Sequence, residues 1–540
     1  MPISHFETQQ INPLILSGVI LLTSVLLFQK HKKISLALLF IGTLCLGYFI
    51  ANLDHFLILW DEQYHALVAK NLSKDFLRPM LYTDPILGFD YKDWTNNHVW
   101  LHKQPLFLWQ LALSIKLFGT TELAVRIPSI LMHAIIPLFI YRMGTIMRNE
   151  ETGYYGALLF AVAYFPLELV AGGYPTDHND VAFLFYVTGS FWAWYEYQKS
   201  QNKYWLIAIG IFSGCAVLVK WLMGLLVYVI WMITKTIVNP RQTFKLKSYL
   251  PLVYSGMVSL MVFLPWQIYI STKYPIESAY EYKLNAAHFF EVIEGHSQST
   301  WFHFTDALNV MYGSGVMIPL LLLLGLIFLV LKTPNKTYKV ALISSVVFVY
   351  VFYTLAATKM ISFTIIVGPI MYLGLGHLIG SLILWIRNKV KIKILAHILV
   401  FLIPLSVAYT ALNLRKIQNY HTDWKPHDNR NRKAEQIEMQ FINSIKDQVN
   451  DDYVIFNASI TVNGHIPVMF YTDNIAYSFI PSESQIEKIR AQNKKVAVVD
   501  LGELPDYILN DDGIKILEVD EVLTETIKKS NNYTNVMISL

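Results

Sequence analysis

Cysteine is almost missing from this chain. Only Cys45 and Cys215 occur in 540 residues, both inside apolar runs, so they read as packing residues. A disulfide framework and a CxxC metal site are thereby excluded. Charge is scarce too: Asp, Glu, Lys and Arg make up 15% of the chain and the net charge is only +4. The basic residues fall in short clusters between apolar runs, which implies membrane topology and no nucleic-acid partner. Neither GxxxxGK[ST] nor GxGxxG occurs, so the chain offers no glycine-rich loop for a nucleotide phosphate. The N-terminus lacks a basic stretch and a small-residue cleavage site, so its first apolar run is expected to stay as a span. There is no internal repeat and no low-complexity segment.

Apolar sequence is abundant. Hydrophobic residues make up 54% of the chain and the mean hydropathy is +0.39, far too high for a soluble domain of this size. Runs suited to spanning a bilayer lie at 11–28, 34–53, 124–142, 154–171, 181–197, 205–219, 222–238, 249–270, 312–331, 339–356, 362–386 and 394–412. The closely spaced pair between residues 204 and 238 is expected to form a hairpin. Residues 106–118 are apolar but short, and are expected as a helix at the membrane surface.

Basic clusters orient these spans. They occur at Lys30/Lys32/Lys33, Arg142/Arg148, Lys199/Lys203, Lys235/Arg241/Lys245/Lys247, Lys332/Lys336/Lys339 and Arg387/Lys389/Lys391/Lys393. Each follows an odd-numbered span, so all share one face, which the positive-inside rule makes cytoplasmic. After residue 414 the composition turns polar. Strand-like runs at Tyr453-Val-Ile-Phe456, Val468-Met-Phe-Tyr471 and Val496-Ala-Val-Val499 are separated by helical segments at 431–449 and 482–492. The expected architecture is an all-α polytopic membrane domain of about 12 spans over 1–413, with outer loops at 54–123 and 271–311, then a small α/β domain over 414–540.

Several polar sites fall on the outer face of this topology. They are Asp61-Glu62, His102-Lys103, Asp177 and Asp180, and Lys359, with Lys220 at the turn of the expected hairpin. A carboxylate can accept the proton of an attacking hydroxyl, and lysine can neutralise a departing phosphate. That combination suits transfer of a group from a lipid phosphate. Plainer readings stand beside it: Lys220 and Lys359 as snorkelling interfacial lysines, Asp177 or Asp180 as a helix cap, His102 as a hydrogen-bonded loop histidine. His288, His296 and His303 have no recognisable metal spacing.

Three stretches carry a resemblance to a known family. Trp60-Asp-Glu-Gln-Tyr-His-Ala-Leu-Val-Ala-Lys70, His102-Lys-Gln-Pro-Leu-Phe-Leu-Trp-Gln-Leu and Ala124-Val-Arg-Ile-Pro-Ser129 resemble the opening of the bacterial 4-amino-4-deoxy-L-arabinose lipid A transferases. The protein O-mannosyltransferases, which share the GT-C fold, are a more distant likeness. Leu218-Val-Lys-Trp-Leu-Met-Gly, Phe263-Leu-Pro-Trp-Gln267 and Ala357-Thr-Lys-Met-Ile-Ser-Phe363 match later landmarks in order, so the resemblance covers residues 34–412. It implies Asp61 as base or acceptor-orienting acid with Glu62 beside it, and Asp180 as the second acid, with Asp177 the alternative register. Lys103 and Lys359 are implied near the donor phosphate, with Lys220 as a further candidate. Where the family has glutamate-lysine-proline-proline, this chain has His102-Lys103-Gln104-Pro105. The family's glutamate is tied to a metal, so His102 stands as the candidate ligand for a divalent ion (Zn, Mg or Mn). The late motif departs as well, with Met360-Ile361 in place of leucine-proline.

The resemblance implies an inverting glycosyltransferase in the bacterial inner membrane, active on its periplasmic face. Its donor would be an undecaprenyl-phosphate-linked sugar and its acceptor lipid A, another glycan or a protein, with membrane lipids as surroundings. The competing classes are a protein O-mannosyltransferase-like enzyme, a surface-polysaccharide ligase and a polytopic secondary transporter. A transporter usually places polar groups at mid-membrane in repeated halves, and neither trait is visible here.

Overall fold

The apolar runs become helices because a backbone in hydrocarbon must satisfy its own hydrogen bonds. The computed structural model describes residues 6–174, 178–313, 315, 317–422, 430–502 and 504–528. Two compact units emerge. The first comprises residues 1–53, 103–107 and 127–418, and the second residues 54–102, 108–126 and 419–540. The second unit therefore unites most of the first outer loop with the C-terminal region, a grouping that the change in composition at residue 414 does not reveal.

The first unit is helical, and the chain is a multi-pass membrane protein. Among the described residues, eight helices are long and apolar enough to cross a membrane, or ten if two bent pairs each count once. One bent pair is Glu150–Val162 with Tyr164–Val170, kinked by 52°. The difference from twelve lies at two places. The expected span at 181–197 forms the helix Asp180–Ser200, outside that set because Tyr, Trp and Glu lower its hydropathy. The stretch Tyr204–Val238 counts once, yet its 35 residues would reach roughly 52 Å at 1.5 Å per residue, well beyond a bilayer core.

That stretch doubles back. Trp221 takes φ 58°, and a short 3-10 turn, Trp221–Leu225, folds against the helix Tyr204–Lys220. Ser213 Oγ donates to the Gly224 carbonyl at 2.7 Å, although a straight helix would hold these residues far apart. The return helix, Leu226–Val238, then packs chiefly on Lys336–Leu355. A second observation agrees. Gly210 faces Val258 and Gly214 faces Val262, so Tyr204–Lys220 and Leu250–Lys273 run parallel, which requires a return leg between them.

Close helix crossings rest on glycine, as expected where packing rather than hydrophobic burial drives association in lipid. A Cβ on Gly144 would lie 2.5 Å from the Gly153 Cα, and one on Gly376 would overlap the Gly156 backbone. The second contact lets Glu150–Val162 meet Gly368–Lys389 backbone to backbone, where Thr152 Oγ1 also lies 3.0 Å from His377 Nδ1.

The second unit is α/β. Strands β1 (Tyr453–Phe456), β2 (Ile475–Ala476), β3 (Lys495–Val499) and β4 (Ile514–Leu517) form a parallel sheet in the order β2-β1-β3-β4. The expected strands at 453–456 and 496–499 are present, as are the helices, now Arg430–Lys446 and Glu483–Ala491. Ser482 and Gln485 close the latter's N-terminus with a capping box. The expected strand at 468–471 is a helix instead, His465–Tyr471. A short apolar run that is buried all round has no periodicity by which strand and helix can be told apart. Lys70 settles its end: the Lys70 ammonium donates to the carbonyls of Met469 (3.0 Å), Phe470 (2.9 Å) and Thr472, capping the helix C-terminus with a positive charge.

Gly376→Ala should lower the melting temperature of the detergent-solubilised protein, overpacking of this kind costing about 1–3 kcal/mol. Gly256→Ala, whose Cβ meets open space, should leave it unchanged. Thermal unfolding of the two variants side by side checks the crossing.

Candidate functional site

In the second unit, the Asp61–Lys74 helix begins from a strained turn. Trp60 has φ 71° and ψ −119°, a region that bulky residues rarely adopt. Surrounding hydrogen bonds hold it there. Ile58 N donates to Glu62 Oε2 at 2.7 Å, and Leu59 N donates to Glu435 Oε1 at 2.6 Å. Asp61 is buried in the first helical turn, where the helix dipole favours a negative group.

Arg126 organises the turn from below. Fully buried, it grips Glu62 at both oxygens, Nε to Oε1 at 2.7 Å and Nη2 to Oε2 at 2.9 Å. Its remaining donors reach the carbonyls of Asp54 (2.8 Å) and Phe56 (2.7 Å). Asp54 accepts in turn from His421 Nδ1 at 2.5 Å and Arg432 Nε at 2.7 Å. Burial alone would raise the Asp54 carboxyl, but the His421 and Arg432 charges and hydrogen bonds hold it below the usual carboxylate range.

Two further acids complete this cluster. Glu438 Oε2 accepts from Gln63 Nε2 at 3.2 Å and its Oε1 from Thr461 Oγ1. Burial pushes its carboxyl up to about 7 despite those two donors. Burial likewise raises Glu435 well above the ordinary value; the Leu59 amide opposes this, while Asp54, Glu438 and Glu62 add to it. The sequence offered no marker for Glu435 or Glu438, which look like members of a charged surface helix. Arg126 sits inside the Ala124-Val-Arg-Ile-Pro-Ser129 landmark, so its importance was signalled and its role was not.

His102 lies in an aromatic cluster of this unit. Its ring stacks on Trp94 at 4.5 Å and meets Trp100 edge-on at 5.7 Å, while Trp94 also contacts Trp60 and Tyr64. Among the described residues, no three His, Cys, Asp or Glu side chains are grouped to hold a metal ion.

In the first unit, Asp180 heads the helix Asp180–Ser200 and is buried. Lys220 Nζ donates to its Oδ1 at 2.6 Å, and Ser362 Oγ to its Oδ2 at 2.6 Å. The sequence singled out Asp180 and Lys220 separately, and the fold-back after Lys220 brings them together. Lys220 thus serves a buried acid rather than snorkelling. It also lies 5.4 Å from the ring centre of Phe363, which stacks with His303.

Lys359 lies three residues before Ser362, ahead of the 3-10 turn Ile361–Val367. Its ammonium donates to the Ala356 carbonyl, and burial draws its pKa down. Thr358 fixes the neighbouring backbone: its N donates to His288 O (3.1 Å), its Oγ1 donates to Glu291 O (3.0 Å) and accepts from Ile293 N (3.1 Å). Beside the half-buried Lys103, Gln104 Oε1 accepts from Gln267 Nε2 at 2.7 Å, and Tyr282 donates to Gln267 Oε1 at 2.8 Å. The stretches around Gln104 and Gln267, far apart in sequence, thus meet through this bond. Asp177 lies outside the described residues.

Comparison with known proteins follows from this geometry. The family model described as dolichyl-phosphate-mannose-protein mannosyltransferase matches residues 102–269. An uncharacterised protein from Aquifex aeolicus (strain VF5) is 28% identical over 165 residues, 30% of this chain and 29% of its own length. The chain thus matches less than a third of that relative. Among solved structures, ArnT from Cupriavidus metallidurans bound to undecaprenyl phosphate is 13% identical with a TM-score of 0.59, covering 84% of this chain and 88% of its own. The archaeal oligosaccharyltransferase AglB from Archaeoglobus fulgidus, in complex with an inhibitory peptide and a dolichol-phosphate, is 12% identical with a TM-score of 0.55, covering 87% and 69%. The chain has the GT-C glycosyltransferase fold.

Two measurements test the second unit's cluster. Glu62→Gln should cost about 3–5 kcal/mol in unfolding experiments, because it leaves Arg126 buried without its counter-charge. Glu438 binds a proton more tightly folded than unfolded, so its contribution to stability is lost as pH rises from 4.5 to about 7 and is flat above. Melting temperatures across that range should fall less steeply for Glu438→Gln than for the wild type.

Proposed function

We propose that this chain is an integral-membrane glycosyltransferase that takes a sugar from a polyprenyl-phosphate donor. The observation that carries the reading is the buried Asp180 with Lys220 at 2.6 Å and Ser362 at 2.6 Å, three residues from Lys359 in the chain, on a GT-C fold. Lysines gathered at the ends of helices suit a lipid phosphate, and the relevant neighbours were solved with undecaprenyl phosphate and dolichol-phosphate.

In this reading the acceptor's hydroxyl oxygen attacks the anomeric carbon. The bond from that carbon to the phosphate oxygen breaks, and the configuration inverts. Polyprenyl phosphate departs with the electron pair, its charge met by Lys103, Lys220 and Lys359. Asp61 takes the hydroxyl proton. Asp180 keeps Lys220 aimed through their 2.6 Å contact. Glu62, committed to Arg126, positions Asp61 rather than reacting itself.

The donor in this proposal is undecaprenyl-phosphate-linked, and the reaction takes place on the periplasmic face of a bacterial inner membrane. The acceptor is lipid A, another glycan or a protein. A protein acceptor is the second reading, supported by the mannosyltransferase match over residues 102–269 and by the peptide bound to AglB.

Purified protein in lipid nanodiscs, given a panel of polyprenyl-phosphate sugars with lipid and peptide acceptors, should release polyprenyl phosphate. Asp61→Asn and Lys220→Ala should each slow release by about 100-fold or more. Equal rates in both variants would remove these residues from the site. Accumulation of lipid-free sugar in vesicles without any donor consumption would replace the enzyme with a transporter.

A further inference from the structure

We propose that Glu435 and Glu438 of the C-terminal region are positioning residues for the transfer reaction, holding the turn that presents Asp61. The proposal rests on the reading that Asp61 takes the acceptor's proton, and it gives the α/β region a task in the chemistry itself.

The two glutamates grip the chain on either side of Asp61. Glu435 Oε1 takes the Leu59 amide at 2.6 Å, two residues before it. Glu438 Oε2 takes the Gln63 side chain at 3.2 Å, two residues after it. Between these points lies Trp60 with its positive φ of 71°. A bulky residue keeps such a conformation only where its surroundings over-determine it, and the Leu59 amide precedes the helix, so no carbonyl of the helix serves it. Spaced three apart, both acids lie on one face of Arg430–Lys446.

The cradle around Glu438 is built for a carboxyl group. Thr461 Oγ1 donates to its Oε1, and Gly464 passes so near that a Cβ there would lie 2.7 Å from that oxygen. Thr461 and Gly464 belong to the loop following β1. Tyr477, just after β2, stacks on Tyr82 of the first loop at 5.4 Å. In the order β2-β1-β3-β4, the carboxyl edge beside β1 is where parallel sheets of this kind usually receive a ligand. In this chain the loop following β1 meets Glu438, whose other oxygen takes the Gln63 side chain beyond Asp61. Further up the turn, His421 and Arg432 hold Asp54, so the same region secures the loop's entry.

The test uses full-length protein in nanodiscs with a polyprenyl-phosphate sugar that the wild type turns over. Glu435→Ala, Glu435→Gln, Asp61→Asn and the exposed control Lys488→Ala are compared. Loss of the Leu59 contact in Glu435→Ala should lower kcat by about 100-fold, the scale of a small misplacement of a reacting group. Donor KM should stay within about twofold, since the phosphate lysines are untouched. Glu435→Gln retains an acceptor oxygen and should keep kcat within about threefold. Hydrogen exchange of the peptide 57–63 should quicken in Glu435→Ala and stay slow in Glu435→Gln, with the rest of the Asp61–Lys74 helix protected in both.

Wild-type kcat in Glu435→Ala, with Asp61→Asn inactive, would overturn the positioning role and leave the proposed function standing. So would a glutamine variant as impaired as alanine, or loss of protection throughout the unit. Full activity in Asp61→Asn would overturn the reading of Asp61, and this proposal with it.

Discussion

The bidentate contact between Arg126 and Glu62 is the interaction on which the second unit depends. An arginine without exposure must find a partner for each of its donors, and Arg126 finds one carboxylate and two backbone carbonyls. That requirement fixes the path of residues 54–62. The path in turn forces Trp60 into its unusual dihedral and sets Asp61 at the head of a helix. Geometry at the candidate acid is thus inherited from a desolvated charge, because breaking such a pair costs more than straining one backbone residue.

The first unit solves an analogous problem with different means. Its polar groups meet at ends and breaks of helices, where backbone is free to bond with side chains. The turn after Lys220 and the extended stretch before Ser362 converge on Asp180. The hydroxyl of Thr358, with the amides of Ala357 and Thr358, joins residues 288–293 to the stretch carrying Lys359. Side chains of one turn's length are enough to weld segments that lie far apart in sequence.

How much was legible follows from where the information resides. Span positions and the polar character of the C-terminal region are written in composition, and the structure follows them closely. The doubling back at Trp221 was visible as two apolar runs with little room between them. What decides helix against strand at 468–471 is burial on all sides together with Lys70, which no local pattern contains. Strand β2 has two residues, too few for any periodicity. At the site, Asp180 and Lys220 each stood out, but their 40-residue separation concealed the pair. Glu62 stood out beside Asp61, but its partner Arg126 lies 64 residues away, and the aromatic rings beside His102 are spread along the same loop. Glu435 and Glu438 were illegible because a surface helix and a buried acidic one can share the same letters.

Partition of the chain also sets an order of assembly. Glu62 and Arg126 emerge early from the ribosome and can pair while the remaining spans are still being made. Leu59 and Glu435 are 376 residues apart, and Lys70 reaches a helix end about as distant. Synthesis proceeds from the N-terminus, so every span between residues 127 and 418 is complete before those contacts exist. The strained turn at Trp60 therefore has only its local brace, Glu62 with Arg126, throughout membrane insertion. A nascent chain carries Asp61 with only part of what holds it until the segment bearing Glu435 and Glu438 has been translated.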